Sequence, residues 1–401
     1  ESMVYLDTAY VIYPRGYVTE TGHFRFFADG NSPITVKGFP SADIRILDVT
    51  DPRRLLRVSG ISIFEGTGGL FDTVLAPSNP AGTYVAFTPE TAFEPTVRAA
   101  KRTLLAAPVN QADYLIITVP EFTAALAPLV AHRENQGLAV KTDLVEEIQR
   151  EFGNGSRDPR MIRRFLTAAY RRWMQPPAYV LIAGKGTYDY RNVRGANDNV
   201  VPALLTHTRR GLAASDMALG DVVGDDAIPE IAVGRLPAAT ESELQAVIAK
   251  IITYETTVAP EYTHDAVLAA DTADWGGDFE AACESIIAEL PQDRVVQRLY
   301  LGNEAGPEAV RSKLVNAFNS GTRLVCYAGH GASDKLAHDM LELEDAAAMH
   351  NSGALTVFAA ATCHSGDFSH PGRRSLADAL VLDPDGGAVA AWAPTTLGFT
   401  S

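Results

Sequence analysis

The chain has 401 residues, 46% hydrophobic and 21% charged, an ordinary balance for soluble globular domains and enough length for two or three of them. A formal charge of −15 argues against nucleic acid as a partner, because phosphates need a basic surface. No apolar run approaches the roughly 20 residues that span a bilayer, and the opening Glu1-Ser2-Met3 is not a basic-then-apolar leader, so the chain reads as one from which any signal peptide is absent.

Residues 1 to about 108 read as all-β. The runs YVIYP, GHFRFFA, ADIRILDV, RVSGISIF and GTYVAFT alternate or are rich in β-formers, and Gly, Pro, Asp and Asn separate them at short intervals. They predict a small β-sandwich over 1–108, with Pro108-Val109-Asn110-Gln111 leading out of it.

From Ala112 the pattern changes to strand–helix alternation. DYLIITVP is a continuous apolar strand, followed by the helical EFTAALAPLVAHRENQG and a second strand, LAVKTDLV. DPRMIRRFLTAAYRRWMQPP is an amphipathic helix closed by two prolines, and AYVLIAGKGTYDY is a strand running into a Gly-rich turn. PEIAVGRLP supplies another strand before a long helix that Thr240 could cap, with Glu243 three residues on. This first α/β subdomain spans 112–262; a second, 263–401, repeats the alternation from DAVLAAD to GAVAAWAP. Strands apolar on both faces imply a parallel sheet, so the fold class is α/β behind a small all-β N-terminal domain.

Cysteine usage narrows the chemistry. Cys283, Cys326 and Cys363 are odd in number, widely spaced and without a C-x-x-C pair, which is neither a disulfide framework nor a zinc module. Cys283 falls in a helical pattern and Cys326 in mid-strand, so both read as core. Cys363 instead sits where the apolar run ALTVFAAA stops at Thr-Cys-His-Ser-Gly-Asp. The preceding strand ends in His330, within YAGHGA. Neighbouring parallel strands carry their C-terminal ends on one edge, so imidazole and thiol could meet there as an activated nucleophile pair. The N–H groups of Gly331 and Cys363 are candidate donors to the oxyanion formed when a carbonyl is attacked.

With these residues in view, 112–401 resembles the gingipain-type cysteine peptidases, peptidase family C25 of the caspase-like clan. DYLIITVPEF, YVLIAGKGTYDY, the stretch from SDMALGDVVGDD to AVIAKIITYE, YAGHGA and TCHSGDFSHPGRRSLADALVLDPDGGAVAAWAPTT carry the likeness, the G-H-G and C-x-x-G-D-F pair most strongly. The resemblance implies His330 as general base and Cys363 as nucleophile. It also places Asp278 where basic-specific members keep an acidic pocket floor, although Asp ahead of Phe-Glu-Ala-Ala is equally a helix N-cap. Asp271 and Asp274 are left open: they could orient His330, bind a cation, or do neither. Gingipain-type catalytic regions continue past the strand matching GAVAAWAP, which bears on substrate specificity more than on chemistry.

Other features carry less. His338, His364 and His370 with Asp339 and Asp367 fit no common metal-ligand spacing. GKGTYDY lacks the glycines and the Ser or Thr of a phosphate loop. SDMALGDVVGDD is acidic and turn-rich, so it could hold a structural Ca²⁺ through carboxylates and carbonyls, while catalysis needs no cofactor. The leading reading is therefore a secreted or surface cysteine endopeptidase acting on proteins or peptides, after Arg or Lys if Asp278 floors its pocket. The alternatives are a sortase-like transpeptidase or signal peptidase of a type IX secretion-type system, and a non-catalytic surface binding protein on a peptidase-like scaffold. The N-terminal β domain would serve as an inhibitory pro-segment or as a docking module for a secretion-system or cell-surface partner.

Overall fold

The computed structural model describes residues 15–95, 103–224, 226–257 and 262–398. The strand expected at Tyr10–Pro14 lies outside them. The chain divides into two compact units, Glu1–Ala99 and Ala100–Ser401.

The first unit contains β1 (His23–Phe27), β2 (Ile34–Phe39), β3 (Arg45–Asp48), β4 (Leu56–Arg57), β5 (Ser62–Glu65), β6 (Phe71–Leu75) and β7 (Thr83–Phe87). They form two antiparallel sheets, ordered β1-β7-β3-β4 and β2-β6-β5. In β1 the sequence HFRFF alternates so that Phe24 and Phe26 turn inward. There they join Val36, Phe39, Ile46 and Tyr84 in one core drawn from both sheets, a small sandwich.

The second unit opens with β8 (Tyr114–Thr118), α1 (Thr123–Asn135), β9 (Val140–Leu144), α2 (Val145–Phe152), α3 (Arg160–Arg172) and β10 (Tyr179–Ala183). A hairpin of β11 (Leu205–Thr208) and β12 (Gly211–Ala214), the short α4 (Met217–Gly220), β13 (Ala232–Leu236) and α5 (Glu241–Thr256) follow. Strands β13-β10-β8-β9 make a four-stranded parallel sheet. Thr240 does cap α5, its hydroxyl accepting the Glu243 N–H at 3.3 Å. The Glu243 carboxylate reaches one residue further back than a capping box requires, to the Ala239 N–H at 2.8 Å.

The unit continues with β14 (His264–Ala270), α6 (Phe279–Glu289), β15 (Val296–Tyr300), α7 (Pro307–Asn319), β16 (Thr322–Ala328), β17 (Thr356–Ala361), α8 (Leu376–Leu382) and β18 (Ala388–Trp392). Strands β15-β14-β16-β17-β18 form a five-stranded parallel sheet. β14 and β16 are almost wholly buried towards their C-terminal ends, which is why their sequences read as unbroken apolar runs. Leu126 of α1, Leu244 of α5, Val267 of β14, Phe358 of β17 and Leu380 of α8 share one core that spans both sheets.

Candidate active site

Three adjacent strands of the five-stranded sheet end in the residues that the sequence singled out. Ala270 of β14, Ala328 of β16 and Ala361 of β17 are register partners. His330 and Cys363 each lie two residues beyond a paired alanine, at corresponding places on strands that are about 4.8 Å apart in any sheet. The Gly329 N–H still donates to the Ala361 carbonyl at 3.2 Å, so the strand ends remain joined one residue past the ladder. Gly329 has φ +155°, and a Cβ there would fall 2.4 Å from the Tyr327 hydroxyl oxygen and 2.5 Å from Cβ of Asp271. Only glycine fits this turn.

The backbone of His330 is fixed on both sides. Its carbonyl accepts from the Tyr327 hydroxyl at 2.7 Å and from the Ala337 N–H at 2.9 Å, while its N–H faces Oδ2 of buried Asp271 at 3.4 Å. Its imidazole Nε2 lies 3.0 Å from Oδ2 and 3.3 Å from Oδ1 of Asp274. Phe279 meets the ring edge-on at 5.3 Å and Trp275 lies tilted against it at 5.5 Å. A Cβ on Gly276 would come within 2.9 Å of the ring, so that glycine leaves the space the imidazole occupies. The Gly276 N–H donates to Asp274 at 2.7 Å; this bond first, and His330 after it, hold the Asp274 carboxyl below its usual range. Of the roles the sequence left open for Asp274, the geometry favours orienting the imidazole. Asp271 instead accepts the Thr272 N–H at 2.7 Å and supports backbone.

Cys363 is half-buried, whereas Cys283 and Cys326 are buried in the core. Burial pushes the Cys283 thiol up to about 12 and the Cys326 thiol up to about 11. The residue after Cys363, His364, has φ +56°, a left-handed conformation that is uncommon outside glycine. The segment beyond β18 clamps this turn: the His364 N–H donates to the Thr396 carbonyl and the Gly366 N–H to the Pro394 carbonyl, both at 3.0 Å. Among the described residues no hydrogen bond joins the Cys363 thiol to the His330 ring, whose Nε2 is turned to Asp274. Among the same residues the Gly331 and Cys363 N–H groups have no acceptor within the chain. A side chain at Gly331 would collide with Oγ1 of Thr362 at 2.5 Å.

Asp278 stands four residues after Asp274 in the same loop. It N-caps α6, its Oδ1 accepting the Ala281 N–H at 3.0 Å, and its side chain is exposed. The three histidines whose spacing fitted no metal site are dispersed onto carboxylates. His338 lies 3.5 Å from Asp271, and His364 and His370 flank Asp367 at 3.7 and 3.1 Å. Burial raises the Asp367 carboxyl, but the two flanking imidazoles and the hydrogen bond from Ser369 outweigh it and hold the group well below the usual range. Among the described residues no group of three or more His, Cys, Asp and Glu is placed to hold a metal. The acidic turn SDMALGDVVGDD includes Asp225, which lies outside those residues.

Sequence reasoning missed two contributors. Trp275, 92% exposed beside the imidazole, carried no local signal. Lys185 is buried and paired with Asp198 at 2.8 Å; a lysine between two glycines at the end of a buried strand was the available sign.

The whole is a parallel-sheet α/β unit with a thiol and an imidazole at register-matched strand ends. Residues 107–401 match the family model of peptidase family C25, and the chain belongs to that family. It is 23% identical over 261 residues to gingipain R2 and to gingipain R1 of Porphyromonas gingivalis. Those matches cover 63% of this chain but only 32% and 24% of the relatives, so the chain spans about a third or less of their length. Among solved structures it resembles the Arg-specific cysteine proteinase gingipain R, with a TM-score of 0.59 at 23% identity over 74% of this chain and 66% of that one. The complex of the Porphyromonas gingivalis RgpB pro- and mature domains gives 0.57 at 22% identity over 71% and 64%. At these identities the structural likeness establishes the fold.

Proposed function

We propose that this chain is a cysteine endopeptidase in which Cys363 is the nucleophile and His330 the general base. One observation carries the reading: in a C25 family member, the Gly-His-Gly and Cys-x-x-Gly-Asp-Phe segments end register-paired neighbouring strands. With Nε2 of His330 turned to Asp274, Nδ1 is the ring nitrogen left to take the thiol proton. The Cys363 sulfur attacks the scissile carbonyl carbon, and the developing oxyanion accepts from the N–H groups of Gly331 and Cys363. Collapse releases the amine, which takes the proton from His330, and leaves a thioester. Water, deprotonated by the same imidazole, then frees the acid and restores the thiol.

Asp278 extends the reading to specificity. Its exposed carboxylate lies on the loop that orients His330, and a carboxylate in a substrate pocket favours a guanidinium or ammonium group. The gingipain R relatives point the same way, because one solved structure is described as Arg-specific. We therefore infer cleavage after Arg or Lys by a secreted or surface protein. The test is a peptide-library digest by wild type, Cys363→Ala and His330→Ala, with products identified by mass. Cleavage by wild type alone supports the dyad, and unchanged cleavage by either variant refutes it.

A further inference from the structure

The segment between Cys363 and α8 has no regular secondary structure, yet Ser365, Asp367, Phe368 and Ser369 are buried. Buried irregular backbone must find hydrogen-bond partners. Near the thiol they are local or come from the segment beyond β18, but from Ser369 to Arg373 three of them come from the loop leaving β10, a strand of the other sheet. The Tyr188 N–H donates to the Ser369 carbonyl at 3.1 Å, and the Gly372 N–H donates to Oδ2 of Asp198 at 2.8 Å. Lys185, 5% exposed, pairs with that same oxygen at 2.8 Å and donates to the Arg373 carbonyl at 2.5 Å. Nearer the thiol, the Arg235 guanidinium lies 4.7 Å over the Phe368 ring, held by Asp216 at 2.6 and 2.7 Å.

Stability alone is a weak reason for a buried ion pair. Desolvation offsets the attraction, and an apolar pair of similar volume is often as stable. What Lys185 and Asp198 do supply is direct hydrogen bonding to the backbone of Gly372 and Arg373. From that loop few links lead to the thiol. Oδ1 of Asp367 accepts the Ser369 N–H at 3.1 Å and its hydroxyl at 2.6 Å. The other carboxylate oxygen faces His364, the strained neighbour of Cys363, at 3.7 Å.

We propose that Lys185 and Asp198 are positioning residues, which set the loop of the nucleophile from the neighbouring sheet. The role rests on Cys363 being the nucleophile. Neither residue touches reacting atoms, so its loss should lower kcat and leave KM nearly unchanged. A misplacement of about 1 Å costs on the order of 10²-fold in rate.

The test uses Lys185→Met, Asp198→Asn and Cys363→Ala in the full chain. It reads kcat and KM on a peptide ester or amide, the thermal midpoint, and the ratio of Cys363 alkylation by iodoacetamide at pH 6.5 to that at pH 9. That ratio normalises for exposure and reports whether the thiolate keeps its stabilising partner. In folded variants at Lys185 or Asp198, kcat should fall about 10- to 100-fold with KM within about threefold, and the alkylation ratio should fall with it. If Lys185→Met does not fold, the isosteric Asp198→Asn decides. Wild-type kcat and alkylation ratio in a folded Asp198→Asn, with Cys363→Ala inactive, overturn the positioning role alone. An active Cys363→Ala overturns the nucleophile assignment and the positioning role with it.

Discussion

Asp274, not Cys363, holds the imidazole of His330: Nε2 lies 3.0 Å from Oδ2, and the Gly276 N–H fixes the same carboxylate at 2.7 Å. A carboxylate on one ring nitrogen selects the tautomer with its proton there and leaves the other lone pair to act as base. Asp274→Asn can present its amide N–H to that nitrogen and select the opposite tautomer. We expect kcat to fall by about 10²-fold or more with KM little changed, as read by steady-state kinetics. A loss under about threefold would mean that Asp274 only shapes its turn.

The three thiols should differ in reactivity. Burial pushes Cys283 up to about 12 and Cys326 up to about 11, whereas Cys363 is half-buried at a strand end. Limited alkylation of the native protein near neutral pH, followed by peptide mapping, should modify Cys363 well ahead of the other two. Equal labelling would remove the support for an activated site.

Asp278 can be tested for specificity without disturbing the helix that it caps. Asparagine caps as well as aspartate but carries no charge, whereas alanine forfeits the bond to the Ala281 N–H, typically at a cost of about 1 kcal/mol. Asp278→Asn should therefore keep the wild-type melting temperature and lose preference for Arg and Lys in matched peptides. Asp278→Ala should lose both. If Asp278→Asn keeps the preference for basic residues, Asp278 caps α6 and reads nothing.

A buried carboxyl in α8 predicts a pH dependence of stability. Burial raises Asp378 from 3.8 to about 6, against opposing hydrogen bonds with Ser375. Between about pH 4 and pH 6 the native state then binds more protons than the unfolded chain, so stability falls as pH rises through that window. Asp378→Asn stays neutral and keeps an acceptor for the Ser375 N–H, 3.0 Å away in wild type. Urea melts should show the variant more stable than wild type at pH 7, by up to about 3 kcal/mol, with the difference shrinking towards pH 4. A difference independent of pH would refute the assignment.

The strand ends were legible in the sequence because buried parallel strands are continuous apolar runs, and YAGHGA and ATCHSGDF break those runs abruptly. The strand order was not legible, and it is the adjacency of β16 and β17 that brings His330 and Cys363 to one edge. β2 and β6 escaped notice because Gly38 interrupts ITVKGF and FDTVL buries Asp72 beside Thr73. α2 escaped because it follows β9 without an intervening turn. Asp274 stayed undetermined because its partner comes from another strand, 56 residues away. Lys185 is further still, since the carbonyl it meets lies 188 residues along the chain, beyond any local pattern.

The central claim, that Cys363 is a nucleophile activated by His330, is tested most directly by trapping. An irreversible peptidyl ketone ending in Arg is mixed with wild type and with His330→Ala, and the adduct is located by intact mass and peptide mapping. The account predicts one equivalent on Cys363 in wild type, none on Cys283 or Cys326, and labelling slowed by orders of magnitude in His330→Ala. Labelling of another residue, or equally fast labelling of Cys363 without the imidazole, would contradict it.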